Sequence, residues 1–116
     1  MERIAAGLRH KYGHALVEVG YMAHLPPLVP EAFARCVAAG ATRILVLPYF
    51  LHVGLHMHRD IPELLRAEAE KYPQVQVVLG PNLGFDESLV DLVERRIKAA
   101  NSGDGKDVRA CISTQA

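Results

Sequence analysis

The apolar residues change period along the chain, and the changes predict alternating helices and strands. Ile4, Leu8 and Tyr12 recur every four residues, with Ala5 beside them, so residues 2–12 read as a helix that Gly13 stops. Residues 15–21, ALVEVGY, alternate apolar and other side chains and carry β-branched valines, the pattern of a strand. Pro26, Pro27 and Pro30 then interrupt the chain. Pro30 suits the first turn of a second helix, where its missing N–H costs little. That helix presents Phe33 and Val37 on its apolar side, with Gly40 as its C′ residue. The run Ile44-Leu45-Val46-Leu47, bounded by Pro48, predicts a strand covered on both faces, as in a parallel sheet.

Residues 49–59, YFLHVGLHMHR, fit no single period and read as a loop. Asp60-Ile61-Pro62-Glu63 then has the form of a helix start: Asp60 as cap, Pro62 in the first turn and Glu63 completing a capping box. The helix runs to about Lys71 and is ended by Tyr72-Pro73. Val75, Val77, Val78 and Leu79 predict a third strand, Gly80 to Gly84 a loop, and Asp86 the start of a last helix bearing Leu89, Val90, Val93 and Ile97. Residues 101–107, NSGDGKD, have the composition of a flexible linker, and VRACIST beyond them reads as a short strand or a frayed tail. Helices separate the strands one by one, the order of right-handed βαβ crossovers. The expected fold class is therefore α/β: an open parallel sheet flanked by helices, with flavodoxin-like layering. It is a single domain over residues 1–100, followed by a linker and tail over 101–116. The order opens on a helix where such folds open on a strand, so a leading strand is missing, a place that VRACIST is one candidate to fill.

Composition narrows the function classes. The 116 residues are half apolar and carry 13 basic and 13 acidic side chains, so the formal charge is zero and no basic excess points to a nucleic-acid partner. No apolar run approaches the ~20 residues of a membrane span, and MERIAAGLRH lacks the apolar stretch of a signal peptide. Two cysteines, Cys36 and Cys111, make no disulfide framework, which favours a cytoplasmic setting. A sheet of three Val- and Leu-rich strands leaves apolar edges, a physical motive for a homodimer.

All six histidines (His10, His14, His24, His52, His56 and His58) lie in the first half. Ligands of open parallel sheets bind beyond the carboxyl ends of the strands. The loop after Pro48 lies at that edge, and His24 should emerge there from the first strand. Four histidines are thus expected at one cleft. Imidazoles ligate borderline metal ions and accept protons near neutral pH. Phe50, Leu51, Val53, Leu55 and Met57 between them offer an apolar wall for a flat ligand that must meet a metal. Against this stand the commoner roles: a solvated surface histidine, and an Asp60 that only caps a helix. The chain holds no H-E-x-x-H pair, cysteine pair, G-x-G-x-x-G or P-loop.

Pro48-Tyr49-Phe50-Leu51-x-x-Gly54-x-His56-x-x-x-Asp60-Ile61-Pro62 resembles the signature of the small CbiX-type chelatases. These insert cobalt into sirohydrochlorin, and related members insert iron or nickel. The resemblance extends through Val17–Pro27, Ala39-Gly40-Ala41, Tyr72-Pro73, Leu79-Gly80-Pro81, Leu83-Gly84 and Leu89 to Arg96, covering about residues 2–98. It implies a chelatase fold, a homodimer of short chains, and a metal site of two histidines. One of these, in the G-x-H loop, corresponds to His56. The other lies in a Gly-His-Gly loop after the family's first strand, which has no counterpart in these residues. A carboxylate common in the loop after the second strand falls at Ala23, next to His24.

The implied activity is insertion of a divalent metal, Co²⁺ foremost and Fe²⁺ or Ni²⁺ otherwise, as substrate and with no permanently bound cofactor. His56 is then the principal metal ligand and proton acceptor, with His24 and His52 as candidate second ligands. Leu51, Val53, Gly54, Leu55, Met57 and Arg59 are the candidate substrate contacts. The alternative on the same scaffold is a non-catalytic carrier of metal or tetrapyrrole.

Overall fold

The structure, a computed structural model, describes residues 1–109. Helix α1 spans Glu2–Tyr12 and ends where Gly13 adopts φ 73°, a left-handed conformation that costs a residue without Cβ little. Helix α2, Val29–Ala38, starts with Pro30 in its first turn, and the Glu31 carboxylate accepts a hydrogen bond from the Leu28 N–H at 3.3 Å. Strand β1 (Arg43–Val46), helix α3 (Leu55–Lys71), strand β2 (Gln76–Leu79) and helix α4 (Glu87–Ala99) follow, then a wide turn over Ala100–Asp104. The two strands pair in parallel with Ile44 beside Val77 and Val46 beside Leu79. With α3 as the crossover they form one βαβ unit, so the expected α/β class with a parallel sheet holds.

Alternation along the strands assigns the two faces. Ile44, Val46 and Val77 turn toward the helices, where Phe33 of α2, Ile61 and Leu65 of α3, and Val75 complete a buried cluster with Ile44. Phe50 and Met57 pack against the same cluster from the loop after β1 and the first turn of α3. On the opposite face Leu45 and Leu47 are more than half exposed. The approach there is close at one point: a Cβ on Gly80 would lie 2.5 Å from Leu47 Cδ2, so a larger residue would have to displace the Leu47 side chain.

Three expectations are corrected. Residues 15–21 are not a strand; Tyr21 makes one isolated parallel bridge, to Leu28. Alternation marks the capacity to pair, but the ladder needs a partner backbone along its length, and among the described residues this segment pairs only at that one bridge. The Arg9 guanidinium bonds the Val17 carbonyl instead, and Val19 alone of the segment is buried. For the same reason the described sheet has two strands, not three, and β1 is covered on one face only. Finally, α3 begins at Leu55, with Gly54 as its N-cap residue and no side-chain cap, so His56, His58, Arg59 and Asp60 are helical and Asp60 caps nothing. The His58 N–H bonds the Gly54 carbonyl at 3.0 Å, closing the first turn. Pro62 therefore sits inside the helix, where its ring replaces a backbone donor. The VRACIST expectation falls largely on residues 110–116, outside the described residues.

The principal extents are 56 × 31 × 26 Å and the radius of gyration is 18.2 Å, against about 13 Å for a compact chain of this length. Much apolar surface therefore stays in reach of other molecules, including Val90, Val93 and Ile97 along one stripe of α4.

One buried group was not anticipated from sequence. Glu68 lies on the inward stripe of α3 with Ile61 and Leu65, its residue 3% exposed. Lys71 Nζ reaches its Oε2 at 2.8 Å, while Oε1 has no partner. A half-satisfied buried carboxylate is a poor contributor to stability, and an apolar residue of similar volume at such a place is neutral or stabilising. Glu68→Leu is accordingly expected to leave folding stability unchanged or raise it by up to about 2 kcal/mol; a clear fall of the urea midpoint in an equilibrium denaturation curve would contradict this account of the site.

Candidate functional site

Two loops leave the carboxyl ends of β1 and β2 side by side. The first, residues 47–54, carries His52 and leads into α3; the second, residues 80–86, leads into α4. They are tied at one point. The Phe50 carbonyl accepts a hydrogen bond from Asn82 Nδ2 at 3.1 Å and a longer one from the Gly84 N–H at 3.4 Å. Asn82 was not singled out from sequence; the signal available was the turn composition Gly-Pro-Asn-x-Gly.

His56 is the second residue of α3 and its side chain is exposed. It is not turned into the aliphatic cluster. His52 is exposed in the loop four residues earlier. Helix α3 has no side-chain cap, so the first-turn N–H groups beside His56 have no side-chain acceptor from the N-cap residue. Leu55 is 89% exposed and Leu51 is exposed as well, Val53 is half-buried, and Met57 spends its contacts on the buried cluster. Arg59 is exposed one turn into α3.

His24 lies on the turn between Tyr21 and Leu28, with φ 71°. That turn is closed by the Tyr21 N–H on the Pro27 carbonyl at 2.8 Å and the Val29 N–H on the Tyr21 carbonyl at 3.0 Å. The expectation of four histidines at one cleft is not met: among the described residues no group of three or more histidine, cysteine, aspartate or glutamate side chains is placed to hold a metal ion. Two shallow depressions also lie away from the histidines. One, of about 190 Å³, runs between α3 and β2 along Pro62, Leu65, Ala69 and Val77; the other, of about 340 Å³, is lined by Leu83, Asp86, Ser88 and Leu89.

Asp86 caps α4, accepting hydrogen bonds from the Ser88 N–H at 2.9 Å and the Ser88 hydroxyl at 2.7 Å. The Ser88 backbone N–H first, then its hydroxyl, hold the Asp86 carboxyl below the usual carboxylate range. A carboxyl depressed in the folded state stabilises above its unfolded pKa, and the contribution is lost as pH falls through the folded value. Asp86→Ala is therefore expected to melt earlier than the natural chain near neutral pH, with the gap closing as pH falls through the carboxyl's depressed folded value. Thermal melts across that range check it, and a gap that widens on acidification would refute it.

An open parallel sheet with two adjacent loops at the carboxyl ends of its strands defines a familiar class of α/β binding fold. The CbiX family model matches residues 1–100. The chain is 37% identical over 90 residues to the sirohydrochlorin ferrochelatase of Priestia megaterium, covering 78% of this chain and 34% of that protein. It is 34% identical over 104 residues to the sirohydrochlorin cobaltochelatase of Methanococcoides burtonii, covering 83% of this chain and 79% of that one. Among solved structures, the sirohydrochlorin chelatase SirB of Bacillus subtilis subspecies spizizenii, in complex with cobalt, superposes with a TM-score of 0.76 at 30% identity over 84% of this chain and 42% of SirB. The chain belongs to the CbiX family. It spans only about a third of the Priestia protein's length and less than half of SirB's.

Proposed function

We propose that this chain inserts a divalent metal ion into sirohydrochlorin, with Co²⁺ the foremost substrate metal and Fe²⁺ or Ni²⁺ the alternatives. The observation that carries the reading is the exposed His56 in the first turn of α3, at the carboxyl edge of the sheet, in a chain of the CbiX family. The names of its relatives support the substrate class, one being a cobaltochelatase and another a ferrochelatase.

Insertion exchanges two pyrrole N–H protons for one M²⁺, so a useful site delivers the metal and removes protons at the same place. A neutral imidazole does both. A closed cage of four ligands would retain the ion, whereas one or two imidazoles leave positions open for the incoming ring nitrogens. His56 takes the role of principal ligand and proton acceptor, and His52 and His24 are the candidates for the second ligand. Leu51, Leu55 and the backbone at Gly54 meet the apolar ring, while the uncapped N–H groups of α3 and Arg59 meet its carboxylates. Val53 and Met57 border this surface from its buried side.

A homodimer is part of the proposal. The exposed Leu45 and Leu47 and the unpaired edge of β1 are the surfaces a second copy would cover. The test is direct: sirohydrochlorin with Co²⁺, Fe²⁺ or Ni²⁺ should be metallated faster with the chain than without it, followed by the change in visible absorbance. A rate equal to the enzyme-free control with all three metals would reject the proposal.

A further inference from the structure

We propose that Asn82 is a positioning residue for the loop that leads into α3: its side-chain amide, fixed to the Phe50 carbonyl, sets where His52 stands relative to His56. The inference rests on the function proposed above.

The geometry that carries it is a short span held at both ends. Downstream, Gly54 is fixed as the N-cap of α3 by the His58 N–H on its carbonyl at 3.0 Å. Upstream, Phe50 is fixed by Asn82 Nδ2 at 3.1 Å and by the weaker Gly84 contact at 3.4 Å. Only three residues, Leu51, His52 and Val53, lie between the two anchors. Four residue steps reach at most about 14 Å, so the anchors confine His52 closely. The side chain that supplies the upstream anchor comes from a residue 32 positions away, on the loop after β2. A bond of that kind does not follow from local turn formation; it joins the two loops across the sheet edge. Its donor is a neutral amide, which satisfies the carbonyl without bringing a charge near the incoming metal. The Phe50 ring packs on the core cluster, so the carbonyl that Asn82 holds belongs to a residue already anchored on its other side.

Loss of the amide should loosen the span without emptying the core. The test uses the full chain in three forms: natural, Asn82→Leu, which keeps the volume and removes the donor, and Asn82→Gln, which retains a donor of longer reach. Hydrogen–deuterium exchange, with no metal or tetrapyrrole present, should be about fivefold faster across residues 51–56 in Asn82→Leu, the size expected for one neutral hydrogen bond. Titration with Co²⁺ alone should show an affinity lower by a similar factor, and Asn82→Gln should recover part of both. In turnover, the KM for Co²⁺ should rise, and that for sirohydrochlorin should rise with it, because Leu51, Gly54 and Leu55 lie on the same loosened span. Should Asn82→Leu fail to fold, Asn82→Ser, which is too short to reach the carbonyl, takes its place. Unchanged exchange at residues 51–56 in a folded variant, or an unchanged Co²⁺ affinity, overturns the inference. A natural chain that fails to metallate sirohydrochlorin rejects the proposed function instead, and the exchange and Co²⁺ titrations still decide the role of Asn82.

Discussion

His56→Ala is expected to lower the enzyme-dependent rate of sirohydrochlorin metallation by about a hundredfold or more. The size follows from the two tasks assigned to one ring. Alanine neither ligates the ion nor accepts a pyrrole proton, and general-base contributions alone are worth roughly 10²–10⁴. The fold should not suffer, because His56 is exposed in the first turn of α3 and its neighbours Phe50 and Met57 hold the core contacts. Its melting curve should therefore overlay that of the natural chain, within the roughly 0.5 kcal/mol usual for surface changes. His52→Ala and His24→Ala are expected to cost less, since each is a candidate only for the second ligand. The ranking is itself informative: a larger loss at His24 than at His52 would place the second ligand on the turn before α2. Equal rates for His56→Ala and the natural chain, both above the enzyme-free control, would remove His56 from the chemistry. Stoichiometric Co²⁺ binding with no metallation by the natural chain would favour the carrier role.

Helix α1, α2, both paired strands and α4 were legible because each follows from a local signal: a fourfold apolar repeat, a proline in a first turn, a continuous apolar run, an aspartate ahead of a helical apolar stripe. What failed was non-local or masked by a stronger signal. ALVEVGY has the alternation of a strand, yet pairing depends on a neighbour that no local pattern encodes. At α3 the proline drew the helix start six residues too late. The better guide was the spacing Met57-Ile61-Leu65-Glu68, one inward stripe that already required helix before Asp60. That shift matters for the site. A histidine in a floppy loop has an ill-defined position, whereas His56 in a first turn inherits the orientation of a helix packed on the sheet. The Asn82 contact could not be read from sequence, because a hydrogen bond across 32 residues leaves no periodic trace.

Phe33→Ala is expected to cost about 3–5 kcal/mol of folding stability, the usual penalty for deleting a buried aromatic ring. Phe33 is 4% exposed and joins α2 to Ile44 of the sheet and to Ile61 and Leu65 of α3. A domain of this length has roughly 6–17 kcal/mol in total, and the elongated shape and thin core place this chain toward the lower end. The variant should thus lose a large share of its stability, visible as a urea midpoint lower by about 2 M or as unfolding at room temperature. Val90→Ala, on the exposed stripe of α4, is the control and should move the midpoint little unless that stripe is covered in a dimer. Metallation should fall together with folded fraction in Phe33→Ala, because Phe50 and Met57, which flank His52 and His56, rest on the cluster that Phe33 completes. A folded Phe33→Ala chain with the natural midpoint would mean that another contact anchors α2, and that the two loops do not depend on this core for their placement.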